Sequence, residues 1–546
     1  MYVRLKSSKR SRHQTLQIVE GIRQGKSVRQ RVVASLGIIE DRKNVQKLVS
    51  LAEGLARKLE EQGAILPKKL EIEKLSHAFT TYDGFGIVVK KMMEISKFSE
   101  IIRKRQGKNS FDVEEVVRLI ITQAMDCPSS KRRTCERQQE HGYSDIDLQH
   151  LYRAMDVIEG ISGEIQTQAF LSVSAIHQKP ASCFFFDVTT FYFESVFQDE
   201  LRDFGFSKDQ KHHSVQIVFA LVVDQTGIPL AYESFKGNLA ETKTLIPVLD
   251  SLRARLNITD VTVVCDRGMA SRQNIEALQK ENFHFVIATK LRSVSAKYEI
   301  NNIKTYKALP NQDEIPAEQR VLYKQIEHPQ YKNATLIATY SPSRAAKDRQ
   351  DRERLLEKLQ EKLEGTSEEG SVKRVINNSG YKKFTTVKEG SLISLNQTAI
   401  DRDAAWDGFH GIAVSHSAGL SIQEALTKYK ELWHVEETFR VAKTTLRTRP
   451  MFHWVPRRIR SHILISFMTL FIERSLEVIL KQRGTPLPPD QIRYALSNVH
   501  TILLAETGKN RIAKVESCLG ESGEKIFQAL GIPTGRSVSI QSTCCA

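Results

Sequence analysis

Residues 183–195 read CFFFDVTTFYFES. An apolar run this short, rich in aromatic and β-branched residues and broken by one aspartate, has the composition of a strand inside a sheet. The next stretch, HSVQIVFALVVDQTGIPLAYESFKGN (213–238), predicts two more strands turned on DQTG. ETKTLIPVLDSLRARL (241–256) has helical spacing, and VTVVCDRG (261–268) is a short run typical of a strand buried on both faces. The order β-β-β-α-β describes an α/β core with its first three strands antiparallel, and HFVIATK (284–290) extends it.

Outward from this core the pattern changes. Residues 293–404 are lysine-rich with scattered strand signals and one charged helix at 343–363, and are expected to be a β-rich insertion. WDGFHGIAVSH (406–416) resumes the sheet, and Ser421 with Glu424 three positions on forms a capping box that starts a helix expected to run to about 446. TLQIVEGIRQGKSVRQRVVASLG (15–37) alternates about a QGK turn as a β-hairpin does, with Arg23, Lys26, Arg29 and Arg31 clustered there. Residues 40–75 and 84–175 carry helical periodicity. The expected organisation is a basic hairpin and helix over 1–75, a helical region over 76–178, a catalytic domain over 179–292 and 405–480 split by the insertion 293–404, and a helical region over 481–546.

A formal charge of +16 and a pI near 9.4 favour a polyanionic partner, because each cation placed on a phosphate releases condensed counterions. The basic hairpin and the helical region are therefore expected to bind DNA. The longest apolar run, ILISFMTLFI (463–472), is too short to span a bilayer, and the basic N-terminus lacks a secretory h-region, so no membrane partner and a cytoplasmic, nucleoid-associated location are expected. Seven cysteines without a C-x-x-C pair indicate neither a zinc ribbon nor a disulfide framework. His212 and His213 lack a matching pair at ligand spacing and are read as structural or surface residues.

Asp187 and Asp266 each sit where an apolar strand emerges. Either alone would be read as a turn former; together they suggest a shared cation site, since a carboxylate at the end of a buried strand needs compensation. In YKELWHVEETFRVAK (429–443), Leu432, Val435, Phe439 and Ala442, continued by Leu446, form one helical stripe. Glu436 lies at its edge, with Tyr429 and Lys443 within about 20° of it, whereas Glu431 and Glu437 are expected in solvent. An ordinary i,i+4 pair of Glu436 with Arg440 is the rival role. Three carboxylates suit two Mg²⁺ (or Mn²⁺) ions of the kind that cut and join phosphodiesters.

These residues resemble the DDE transposases of bacterial insertion sequences, in the branch marked by Y-x2-R-x3-E-x6-K. The signature is Tyr429, Leu432, Glu436 and Lys443, with leucine in place of arginine. FDVTTFYFES, FSKDQ (206–210), KGNLAET (236–242), CDRGMASRQNIEAL (265–278) and LRTRPMFHW (446–454) also look like family blocks, in family order. The resemblance implies an RNase H-like catalytic domain in which Asp187, Asp266 and Glu436 bind two divalent ions. It implies terminal-inverted-repeat and target DNA as substrates, a hairpin at the excised end, and a synaptic homodimer. Tyr429 and Lys443 would contact DNA near the cut, and Arg440 is a candidate to replace the missing arginine. Some relatives hold a flipped base on an insertion tryptophan; here 293–404 has none, Trp406 borders it, and Trp433 is read as core packing. A hydrolytic nuclease of similar fold and a repurposed non-catalytic DNA-binding protein are the alternatives.

Overall fold

The computed structural model describes residues 2–7, 14–24, 27–39, 49, 52–53, 75–177, 182–205, 213–256, 261–294, 296–364, 379–387, 393–446, 451, 453–506, 511–535 and 538–542. The chain divides into two compact units, Ser162–Ile463 and Met1–Ile161 with Leu464–Ala546.

The unit Ser162–Ile463 is built on one mixed sheet. Its strands are β1 (Cys183–Tyr192), β2 (Gln216–Val223), β3 (Pro229–Lys236), β4 (Thr262–Cys265), β5 (His284–Ala288), β6 (Lys307–Ala308), β7 (Leu322–Glu327), β8 (Ala334–Tyr340) and β9 (Phe409–Ser415), in the order β6-β7-β8-β9-β5-β4-β1-β2-β3. β1, β2 and β3 are antiparallel, while β4 and β5 run parallel to β1. β2 and β4 are buried along their whole length, as the unbroken apolar runs require of strands covered on both faces. The DQTG turn is held by the buried Asp224 carboxylate, which accepts from the backbone N–H of Thr226 and Ile228 at 2.9 Å each, and Gly227 takes φ +87°.

The helices of this unit include α1 (Ser162–His177), α2 (Leu245–Leu256), α3 (Arg272–Lys280), α4 (Pro342–Glu364), α5 (Gln397–Ala404), α6 (Ile422–Lys430) and α7 (Trp433–Arg440). Phe170 of α1 meets Phe184 edge-on at 6.1 Å, so α1 covers the face of β1 that carries Phe184 and Phe186.

The sheet does not stop at residue 292. β6, β7 and β8 fall inside the stretch expected to be an insertion, yet β8 pairs with β9 and prolongs the same sheet. LYKQIE of β7 is half-exposed, so it lacks the apolar run that identifies a central strand. The first unit boundary, at 161/162, also precedes the expected one at 178/179 and places α1 with the sheet.

In the other unit, Gln14–Gln24 and Ser27–Ile39 pair as the expected hairpin, with Tyr2–Ser7 added on one edge. Most of the helix expected over 40–75 lies outside the described residues, while Gly84–Ile95, Val113–Asp126 and Leu148–Glu159 are helical as their periodicity predicts. The region 481–546 is not purely helical: Thr501–Glu506, Arg511–Glu516 and Val538–Ser542 join Leu75–Thr81 in a four-stranded sheet. Runs of six residues, TILLAE and RIAKVE, are too short to form a stable helix and pair instead.

Candidate active site

β1 and β4 lie side by side, with Phe186 opposite Cys265 in parallel register. Asp187 and Asp266 are the next residues on each chain, so the register sets them beside one another across an interstrand spacing of about 4.8 Å. The buried Cys265 thiol reports the same crowding: its pKa is pushed up by burial, then by the charges of Asp266 and Asp187. Asp187 is half-buried and Asp266 exposed.

The capping box at the start of α6 forms as expected, with Glu424 accepting from the Ser421 N–H at 2.8 Å and Ser421 Oγ accepting from the Glu424 N–H at 3.3 Å. The expected unbroken helix to 446 does not form. α6 closes at Lys430 and α7 opens at Trp433; between them i→i+3 bonds tighten the backbone, Leu432 N–H to Tyr429 O at 3.1 Å and Val435 N–H to Leu432 O at 3.2 Å. Val441–Thr445 then widens into a π-helical turn, with Leu446 N–H bonded to Val441 O at 3.0 Å. The tight and wide turns offset the helical phase in opposite senses. Leu432, Val435, Phe439, Ala442 and Leu446 therefore all remain buried, and the apolar spacing conceals both irregularities.

α7 lies along β1 on the face that carries Asp187. The His434 ring is 6.3 Å from Phe185, and the Phe439 ring is 6.0 Å from Phe219, the partner of Thr189 on β2. Thr438 donates to Gly227 O at 3.1 Å, which turns that flank of α7 toward the β2–β3 turn. Glu436 stands roughly 160° round the helix from Thr438, on the flank turned away from that turn, and is exposed. Among the described residues no three histidine, cysteine, aspartate or glutamate side chains converge closely enough to form a ready-made metal site. The register thus unites the two aspartates, and Glu436 is carried by the helix packed on the face of β1 that bears Asp187.

Tyr429 reaches the pair: its hydroxyl donates to Asp266 Oδ1 at 3.4 Å. Burial, then the Asp266 carboxylate, pushes its phenol pKa up, so it stays a donor. Lys443 sits in the π-helical turn, its Nζ 5.8 Å from the Phe439 ring centroid. Arg440 pairs with Glu437 at 3.4 Å, not with Glu436, and Glu437 is only 25% exposed rather than solvated. Glu431 is likewise half-buried. Leu432 is core, whereas Trp433, expected in the core, is 51% exposed and its ring lies 3.9 Å from His434. Trp406 packs on the cluster Leu291, Ile300, Leu336 and Ala338. His213 is exposed; His212, FSKDQ and most of LRTRPMFHW lie outside the described residues. Arg23, Arg29 and Arg31 fall on the hairpin strands, opposite Val28, Ile22 and Glu20, and Lys26 lies outside the described residues.

A cleft of about 990 Å³ opens beside Asp266 and Tyr429, lined further by Arg344, Asp348 and Arg352 of α4 and by Asp407 and His410. Its sequence signal is the i, i+4, i+8 spacing of Arg344, Asp348 and Arg352 on one helical face.

Residues 178–472, more than half of the chain, match the family model of the transposase DDE domain. The chain belongs to the DDE transposase family. Residues 3–66 match the N-terminal domain of the IS1634 family of transposases, which makes this a bacterial insertion-sequence transposase, a DDE-type DNA-transposing enzyme, as the Tyr429–Lys443 signature led one to expect. Among curated proteins none matches this transposase. Among solved structures, a piggyBac transposase synaptic complex with hairpin DNA aligns over 76% of this chain and 79% of its own at 11% identity and a TM-score of 0.36, a likeness too slight to carry any argument. No described helix of the transposase is long and apolar enough to cross a membrane.

Proposed function

We propose that this transposase binds the terminal inverted repeats of its insertion sequence, cuts there, and joins the freed 3′ ends to target DNA, passing through a hairpin at the excised end. In this reading Asp187, Asp266 and Glu436 hold two Mg²⁺ or Mn²⁺ ions. The observation that carries it is the β1–β4 register, which seats Asp187 next to Asp266 beneath the helix bearing Glu436. Carboxylate oxygen is the donor that such hard ions take, and of the three Asp266 and Glu436 are exposed and Asp187 half-buried. When bound, a pair of hard divalent cations supplies a more acidic nucleophile and a stabilised leaving oxygen.

The protein's own groups do the rest. Tyr429 fixes one oxygen of Asp266 and so orients it. Lys443 holds a phosphate as a point charge. Arg23, Lys26, Arg29 and Arg31, with the helical region over 76–178, track the duplex backbone of the repeats. The strand order β3-β2-β1-β4-β5, three antiparallel and two parallel, supports an RNase H-like core. Two copies pair the transposon ends at the nucleoid.

The test is an assay of duplexes taken from the DNA flanking the gene, scored for both cleavage and joining to a second duplex. Asp187→Ala, Asp266→Ala and Glu436→Ala are each expected to lower cleavage on the order of 10³-fold, several kcal/mol of barrier, while sparing binding. Glu437→Ala should cleave normally. Cleavage without any joined product would make the protein a nuclease of similar fold; binding without cleavage would make it a repurposed DNA-binding protein.

A further inference from the structure

Leucine stands at the signature's arginine position, and Leu432 is buried, so no guanidinium can project from there. Arg440 points its charge at Glu437. We propose that Arg344, the first basic residue of α4, supplies the missing cation and binds a DNA phosphate beside Asp266 and Tyr429; this rests on the functional reading above.

The start of α4 is clamped against the sheet. β8 pairs Thr339 with His410 and Tyr340 with Phe409, and the next residue, Ser341, donates its N–H to Gly408 O at 3.0 Å. A Cβ on Gly408 would lie 2.8 Å from both the Ala345 Cβ and Ser341 O, so α4 can approach this closely only over glycine. The next two turns are pinned as well: Asp348 accepts the Gly408 N–H at 3.0 Å, and Arg352 makes a bidentate pair with Asp407 at 2.5 and 2.6 Å.

Arg344, one turn before Asp348, lines the cleft with Asp266, His410 and Tyr429. Its charge is close enough to lower the pKa of both Tyr429 and His410, against the effect of Asp266 on each. The His410 ring packs against Tyr429 at 4.9 Å and, held near pKa 4 chiefly by burial, is neutral at physiological pH. Among the described residues Arg344 has no ion-pair partner, unlike Arg352 on the same face. An exposed guanidinium on a fixed helix turn, beside carboxylates that meet the substrate, is suited to bidentate recognition of a phosphate.

The experiment compares wild type, Arg344→Gln, Arg344→Lys, Arg440→Gln and Asp266→Asn on gene-flanking duplexes across a salt series. Arg344→Gln should weaken productive binding about 10–100-fold, the worth of a charge-assisted hydrogen bond, and reduce the slope of log K against log salt by about 0.9. Arg344→Lys should restore the slope but only part of the affinity, and Arg440→Gln should behave as wild type. An unchanged affinity and slope in Arg344→Gln, with Asp266→Asn inactive, would overturn the proposal and leave the active-site reading standing. Cleavage by Asp266→Asn would instead overturn that reading. Arg344 is exposed, so an unaltered melting curve is expected to accompany every variant at that position.

Discussion

The two sides of the candidate active site are built differently. Asp187 and Asp266 ride on adjacent parallel strands in the middle of the sheet, β1 covered on both faces and β4 buried throughout. Glu436 rides on a helix interrupted just before it and widened into a π-turn just after it. A strand in a closed register offers one position for its side chain; the short helix α7 is held to the sheet by side-chain contacts, the Thr438 bond to Gly227 and the buried Val435 and Phe439, rather than by a backbone ladder. The π-turn after Glu436 is of a kind found frequently at functional sites.

That contrast can be broken at several levels. Phe186→Ala on β1 and Phe439→Ala on α7 each remove a buried aromatic side chain and should each cost about 3–5 kcal/mol. Equal losses in denaturant titrations would show α7 to be as much a part of the core as β1, whereas a much smaller loss for Phe439→Ala would make α7 a loosely attached element. Leu432→Arg, which restores the signature, should destabilise the fold by about 3 kcal/mol, because the position is core and burying a guanidinium there costs its hydration. A variant as stable as wild type would mean that the side chain escapes to solvent.

Acid provides a further comparison. Burial lowers the pKa of both His328 and His410 to about 4. The unfolded chain protonates such residues near 6.5. Their contribution is therefore present above that value, falls as pH drops from about 6.5 to about 4, and changes no further below. Melting temperature should decline through this window, and His328→Gln should flatten the decline.

Smaller effects are expected at the rim. Tyr429→Phe loses only the long bond to Asp266 and should slow cleavage several-fold, about 0.5–1.5 kcal/mol. Arg440→Gln breaks an exposed pair and should change stability by less than about 0.5 kcal/mol in a melting curve.

Legibility in the sequence follows the same divide. CFFFD and VTVVCD announce buried strands because burial on both faces leaves an unbroken apolar run, but only Asp266 follows a strand end: β1 runs on through Asp187 to Tyr192, and the parallel pairing of the two strands is what completes the aspartate pair. The stripe through Leu432, Val435 and Phe439 identified the buried face of the helix, but its spacing is satisfied equally by a regular helix and by the observed tight and wide turns. The half-exposed β7 and the short paired strands after residue 500 gave no comparable signal. The spacing of Arg344, Asp348 and Arg352 marks one face of α4, but no local pattern says that this face lines a cleft with Asp266. Trp433 is exposed despite its aromatic character, because spacing on a helix does not reveal which flank a neighbouring element leaves open.

The most direct test is Mn²⁺ binding to the full chain, followed by electron paramagnetic resonance, in wild type, Asp187→Asn, Asp266→Asn, Glu436→Gln and Glu437→Gln with gene-flanking duplex present. The account predicts that the first three variants lose bound Mn²⁺ while Glu437→Gln retains it. Retention by Glu436→Gln together with loss by Glu437→Gln would contradict it and move the third ligand one position along the helix.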